Sequence, residues 1–361
     1  MFDRNPVTEQ VIKNCHISDA RYAGLYSICG LALRLRDLYK WEKSLEPWVE
    51  RESPEILEWI GEKEEAWERL ADKDFSDIVI NGDSYDLFDA AGINARLEAH
   101  GLFYGAGYIH SLKPTFFLAP IEEMSNVDGH RVYILGRELA RDLLTVPALS
   151  QDRSIVIRKE SGKLFLWNQI MFLKKSGRQA LGFALEHHGL TDQSPGTLRK
   201  HLGSLFFTEM ERYIYHELGE IEDRDFDRNI WREIIGAFPH TPIELLARSV
   251  KDLLADTNQK GPLRHIVRER NKISLGFYVA FLDGLASVLF PEMQKAFSRF
   301  VETRDWTLIE HAVSKGYRRA KDHAKALCTI FSEGKRGNDL KGAGEKIEKR
   351  FLTKFRLKPS S

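Results

Sequence analysis

The chain has 361 residues, 43% hydrophobic and 29% charged, which excludes disordered, collagen-like and membrane-embedded classes and leaves a globular protein long enough for about two domains. Lys plus Arg equals Asp plus Glu at 53 each, so no overall charge draws the molecule to nucleic acid or to an anionic membrane. Charge is segregated instead: residues 42–98 hold 17 acids against 6 bases, and residues 315–358 hold 14 bases against 5 acids.

The N-terminal MFDRNPVTEQVIK has acids and no apolar core, so no secretory signal is expected, and Cys15, Cys29 and Cys328 are too scattered for a disulfide framework. A cytoplasmic, reducing location is the expectation. The first helix is predicted to start at Ser18-Asp19, either of which suits an N-cap, and to run to about Glu42. A second starts at Ser53-Pro54-Glu55 and buries Ile56, Ile60, Trp67 and Leu70.

The period then changes. Residues 115–122 and 131–135 read as strands joined across NVDG at 126–129, and residues 154–158 and 163–167 read as a second hairpin turning at Ser161-Gly162. Between them GRELARDLL reads as helix. From Asn168 onward the pattern is helical, including an apolar run at 273–290. Asp283, Gly276 and Gly284 interrupt that run and argue for a buried central helix rather than a membrane span. The residues after Phe331, SEGKRGNDLKGAG, read as a linker to a basic tail. The expected fold class is therefore α+β and predominantly helical, a multi-helix core with a small antiparallel sheet from two hairpins. The expected regions are an acidic helical segment (1–100), a small antiparallel β region (101–170), a helical region (171–331), and a glycine-rich linker with a basic tail (332–361).

The segments CHISDARYAGLYSICGLALRLRDLYKWE, GHRVYILGRELARDLLTVPA and KLFLWNQI resemble an uncharacterised bacterial protein family of unknown function. The resemblance covers most of the chain and implies no activity, cofactor or catalytic residue.

No phosphate-binding P-loop, nucleophile elbow or kinase motif is present, and Gly105-Ala-Gly107 lacks the third glycine of a dinucleotide site. The feature that carries chemistry is TEMERYIYHELGE at 208–220. At 100° per residue Glu209, His216 and Glu220 share one stripe beside the apolar face, and Glu217 falls near the centre of that face. A His and a Glu four apart on a helix can hold one metal ion, and His216-Glu217-Leu218-Gly219-Glu220 has the outline of a zincin helix with Glu in place of the second His. The expected metal ligands are Glu209, His216 and Glu220, for a divalent transition metal, with Glu217 as the catalytic carboxylate of a hydrolase. His16, Asp19, His187 and His188 are candidates for a further ligand. An ordinary solvent-bordering helix explains the same stripe. Glu217 and Asp283 also require partners if buried, and Arg34 or Arg36 are the expected ones.

Two non-enzymatic readings stand beside this one. The oppositely charged ends suit a scaffold that recruits an acidic partner or self-associates through its basic tail. Lys346, Lys349, Arg350, Lys354, Arg356 and Lys358, interleaved with Phe351 and Phe355, suit nucleic acid.

Overall fold

The computed structural model describes residues 3–109 and 112–353, which divide into two compact units. The first comprises the chain up to Phe172 together with residues 198–206, and the second comprises the rest. The protein is α+β and predominantly helical. Among the described residues no helix is long and apolar enough to cross a membrane.

The first unit opens with α1 (Asn5–Tyr22), α2 (Ile28–Glu42) and α3 (Ser53–Glu68). Ser18 and Asp19 do not cap a helix but lie buried inside α1, whose first turn holds Pro6. Ser18 Oγ donates to the Pro114 carbonyl, and Asp19 pairs with Lys113 at 3.0 Å, so these polar residues were selected by tertiary partners. The long first helix expected from the sequence breaks at 23–27, where Ser27 caps α2 by accepting from Gly30 N at 3.1 Å.

Next come the hairpin β1 (Ile78–Ile80) and β2 (Asp83–Tyr85), α4 (Ala90–Leu97), and six strands: β3 (Leu102–Tyr108), β4 (Pro114–Val127), β5 (His130–Leu135), β6 (Ala140–Arg141), β7 (Ala148–Gln151) and β8 (Ser154–Arg158). The β1–β2 turn uses Asn81 and Gly82, both at positive φ, as a tight two-residue hairpin requires. The larger sheet runs β3-β4-β5-β8-β7, with β6 on β4, and its β5–β8 pair is parallel. The β4–β5 hairpin forms across 128–129 as its turn sequence indicates.

The second expected hairpin does not form. Strand β8 pairs with β7, turning at Asp152-Arg153, and residues 163–167 belong to α5 (Lys159–Met171). Leu164, Trp167 and Ile170 are buried at helical spacing; a short apolar run of this kind does not by itself distinguish strand from helix. GRELARDLL is likewise not a helix, since Ala140-Arg141 is strand and Glu138, Arg141 and Asp142 are buried. The outer edge of β3 is closed by side-chain amides. Asn94 Nδ2 donates to Tyr104 O at 2.8 Å and its Oδ1 accepts from Tyr104 N at 2.7 Å, while Gln151 accepts from Ala106 N and donates to Tyr104 O, both at 3.0 Å.

The second unit contains α6 (Arg178–His187), most of α7 (Pro195–Glu222), α8 (Arg228–Ala237), α9 (Pro242–Thr257), α10 (Pro262–Glu269), α11 (Lys272–Phe281), α12 (Gly284–Leu289), α13 (Pro291–Thr303), α14 (Trp306–Arg336) and α15 (Leu340–Ile347), then a π-helical turn at Glu348–Leu352. The apolar run at 273–290 is two helices rather than one: the chain breaks at Leu282-Asp283, and Gly284 adopts φ +52°. Asp283 is therefore exposed and pairs with Lys174 at 2.7 Å, which removes it from any buried network. Residues 332–344, which read as a linker, and the start of the basic segment after them continue α14 and then form α15 and the π-helical turn, with Ala343, Ile347 and Leu352 buried. Of the basic segment, Lys354, Phe355, Arg356 and Lys358 lie outside the described residues.

Candidate metal centre

Helix α7 starts cleanly because Ser194 accepts from Thr197 N and Pro195 occupies the first turn, where its missing N–H costs nothing. Helix α9 starts in the same way, with Thr241 as cap and Pro242 behind it. The two helices approach at Gly219: a Cβ built there would lie 2.2 Å from the carbonyl oxygen of Ala255. Asn258 fastens the approach by donating Nδ2 to Gly219 O at 2.9 Å. The glycine that weakens the HELGE segment as an isolated helix is thus what admits α9 against it.

This packing brings His216 and Glu220 of α7 beside Asp252 and Asp256 of α9. One ligand atom from each of His216, Glu220 and Asp252 falls within 4.8 Å of the other two. His216 Nδ1 lies 2.8 Å from Asp256 Oδ1, and Nε2 lies 3.8 Å from Glu220 Oε1. A carboxylate only accepts, so Nδ1 carries its hydrogen toward Asp256 and Nε2 faces the cluster. Asp256 is held in turn by Tyr278, whose hydroxyl donates to Oδ2 at 3.0 Å. A carboxylate behind a histidine in this way fixes the tautomer and ring orientation of metal-bound imidazoles. Lys251 Nζ donates to the second Glu220 oxygen.

The electrostatics of the group are those of crowded acids around one imidazole. Burial opposes charge on His216, but Asp256, together with Glu217 and Glu220, outweighs it and pushes the imidazole up to about 10. Glu217 is buried, and burial followed by the Glu220 charge raises it to about 7. Burial acts against the Glu220 charge as well, but Lys251 and His216 more than offset it and hold the carboxyl below its usual range. Asp252 reaches solvent, yet the protein packed around it and then the Glu220 charge shift it upward.

The other sequence candidates lie elsewhere. Glu209 is fully buried on α7, pairs with Arg212 at 2.6 Å and is not in the His216 cluster. His187 Nδ1 meets the Phe183 carbonyl at 2.9 Å, and His188 ends α6. His16 and Asp19 belong to the first unit. Arg34 and Arg36, the expected partners of Glu217, belong to the first unit, where Arg34 stacks on Tyr26 and Arg36 bonds Asp37 and Asn168. Asp252 and Asp256, which complete the cluster, went unread in the sequence. Their one signal is an acid pair four apart in KDLLADT, on a helix whose apolar residues alternate with it.

With one imidazole, two cluster carboxylates, a third carboxylate behind the imidazole and a nearby acid of raised pKa, the group has the donors of a three-ligand metal site and a proton acceptor beside it. The model of the family of unknown function DUF6866 matches the chain in two parts, its N-terminal domain at residues 6–158 and its C-terminal domain at residues 163–353. The chain belongs to the DUF6866 family. No curated protein and no solved structure matches this DUF6866 chain. Every residue of the His216 cluster falls in the DUF6866 C-terminal domain.

Proposed function

We propose that this DUF6866 protein holds a divalent transition metal on His216, Glu220 and Asp252, and that the loaded centre hydrolyses its substrate. With three protein ligands a bound metal would keep a coordination position open and would supply Lewis-acid activation of a water there. Glu217 would be the proton acceptor, a role suited to a carboxyl that burial and the Glu220 charge raise to about 7. The observation that carries this reading is the convergence of the His216, Glu220 and Asp252 ligand atoms within 4.8 Å. The Asp256–His216 contact supports it, because it aims Nε2 and not Nδ1 at the ion. Glu209 has no part in the centre on this reading; its buried charge is answered by Arg212 one turn along the same helix.

Elemental analysis of purified protein, followed by titration of the metal-free form with zinc, manganese and iron, tests the binding step. One ion per chain with a raised melting temperature is expected, and both should be lost in His216→Ala and Asp252→Ala. A metal-free protein whose melting temperature none of these ions shifts would make the cluster an ion-pair network alone. Glu217→Gln tests the catalytic step: it should keep the ion and lose hydrolysis of chromogenic esters or phosphoesters.

A further inference from the structure

Voids of about 280 and 440 Å³ share Trp41, Arg137, Glu138 and Arg141 as walls, and the larger also reaches His16 and Glu42. The larger void lies within the ~300–1,000 Å³ typical of small-molecule sites.

Three of these walls carry unmet capacity. Glu138 is almost completely buried; its Oε1 accepts from Arg158 Nε at 3.0 Å and from Ser161 Oγ at 2.6 Å, while its Oε2 has no hydrogen-bond partner. Arg141 is equally buried; among the described residues its guanidinium bonds Asp142 O, Leu144 O, Ser161 Oγ and Thr145 Oγ1 and has no carboxylate in direct contact, although the nearby Glu138 and Asp142 charges favour its charged form. Arg137, exposed beside it, also lacks a carboxylate partner and bonds Ser44 Oγ and the Trp41 carbonyl. A buried carboxylate oxygen without a donor is unfavourable unless something meets it, and an exposed guanidinium without a carboxylate partner can take up an anion. Burial, and then the charge of Lys63, keeps the His16 imidazole neutral at about 4, and the ring makes no hydrogen bond among the described residues. Charge in the larger void is balanced, with Arg137 and Arg141 facing Glu42 and Glu138. Glu42 is already engaged by Lys63 and Trp59, which leaves Glu138 as the acid with capacity to spare.

We propose that this cavity binds a small zwitterion, a free α-amino acid, whose carboxylate meets Arg137 and Arg141 and whose ammonium meets Glu138. A simple anion would leave the Glu138 oxygen unmet and a simple amine would leave the arginines unmet; one molecule carrying both groups answers both. Trp41, Ile12 and Leu139 supply the apolar wall for its side chain.

The test is calorimetric titration of the full chain with each of the proteinogenic amino acids, repeated with EDTA present and with His216→Ala, because amino acids also chelate metal ions. At least one amino acid should bind, with the same affinity in all three conditions. Its N-acetyl and carboxamide forms should bind about tenfold more weakly or not at all, and Arg137→Ala should weaken the free amino acid by a similar factor. Glu138→Gln should do the same; if that variant does not fold, the blocked ligands on the unaltered protein answer the same question. Absence of binding by every amino acid, which would mean a cavity filled by water only, overturns the proposal. So does equal binding of the blocked forms, or affinity unchanged in Arg137→Ala.

Discussion

Gly219 on α7 lies so close to Ala255 on α9 that a methyl group at position 219 would stand 2.2 Å from the Ala255 carbonyl oxygen. The obstacle is backbone, which no rotamer change relieves. Gly219→Ala gains helix propensity of up to about 1 kcal/mol. The overlap should nevertheless dominate, for a net destabilisation of about 1–3 kcal/mol by urea unfolding. Because the same contact aligns Asp252 and Asp256 with His216, metal affinity should fall with it. A variant as stable as the parent would show that the helices do not meet this closely.

The pH dependence of the metal-free protein follows from two groups. His216 stands at about 10, above its ordinary 6.5, so its contribution to stability is complete below pH 6.5 and lost as pH rises through about 10. Glu217 stands at about 7, above its ordinary 4.5, so the fold favours its neutral form; that advantage is complete below pH 4.5 and gone above about 7. These two contributions to the urea midpoint should therefore decline from pH 4.5 upward, against the opposite trend that His16, held at about 4, adds between pH 4 and 6.5. Glu217→Gln should flatten the part between 4.5 and 7, and His216→Gln the part above 6.5. Metal binding displaces the His216 proton, so apparent zinc affinity should rise over the same upper range.

Lys113 is buried between Asp19 at 3.0 Å and Asp142 at 2.9 Å. Burial raises Asp19, with Lys113 opposing it, whereas Lys113 outweighs burial at Asp142 and holds that carboxyl low. Lys113→Ala leaves two buried acids without their cation and should cost about 3–5 kcal/mol in chemical denaturation. Lys113→Met combined with Asp142→Leu and Asp19→Asn should recover part of that loss, because replacing a whole buried ion group by uncharged residues is far better tolerated than removing one member.

Truncation after Ser332 should also be costly. It removes the last turn of α14, all of α15, and the buried side chains of Ile347 and Leu352. At about 1.5–3 kcal/mol for each large apolar side chain, the loss is roughly 3–6 kcal/mol, read as a drop of several degrees in melting temperature. An unchanged melting temperature would mean that these helices add nothing to the unit they pack on.

His216, Glu217 and Glu220 were legible because their relationship is local: helical spacing alone sets them along one helix. Asp252 and Asp256 were not, since the contact that recruits them passes through Gly219, a residue that reads as a weakness when α7 is considered alone. The sheet divides in the same way. The β4–β5 hairpin is encoded in its NVDG turn, whereas the parallel β5–β8 pair depends on strands distant in sequence and has no local signature. Ser18 and Asp19 read as caps, and Glu138 and Arg141 as part of a helix; their burial depends on partners such as Lys113 and Arg158 that no periodicity reveals. The segment after Phe331 misled for a compositional reason. Its glycines suggest a linker, but Gly334 faces Ala343, where a Cβ would approach to 2.4 Å, so that glycine lets α15 fold back on α14.

The amides of Asn94 and Gln151 occupy the positions along β3 that the backbone of an incoming strand would take. An open strand edge is a template on which further chains can add, the first step toward fibrils. Here both backbone groups of Tyr104 and the N–H of Ala106 are already spoken for by two side chains of the same molecule. The consequence concerns persistence in concentrated solution: the sheet is guarded against templated growth by side chains at two positions, and a change at either would open that edge without touching the core.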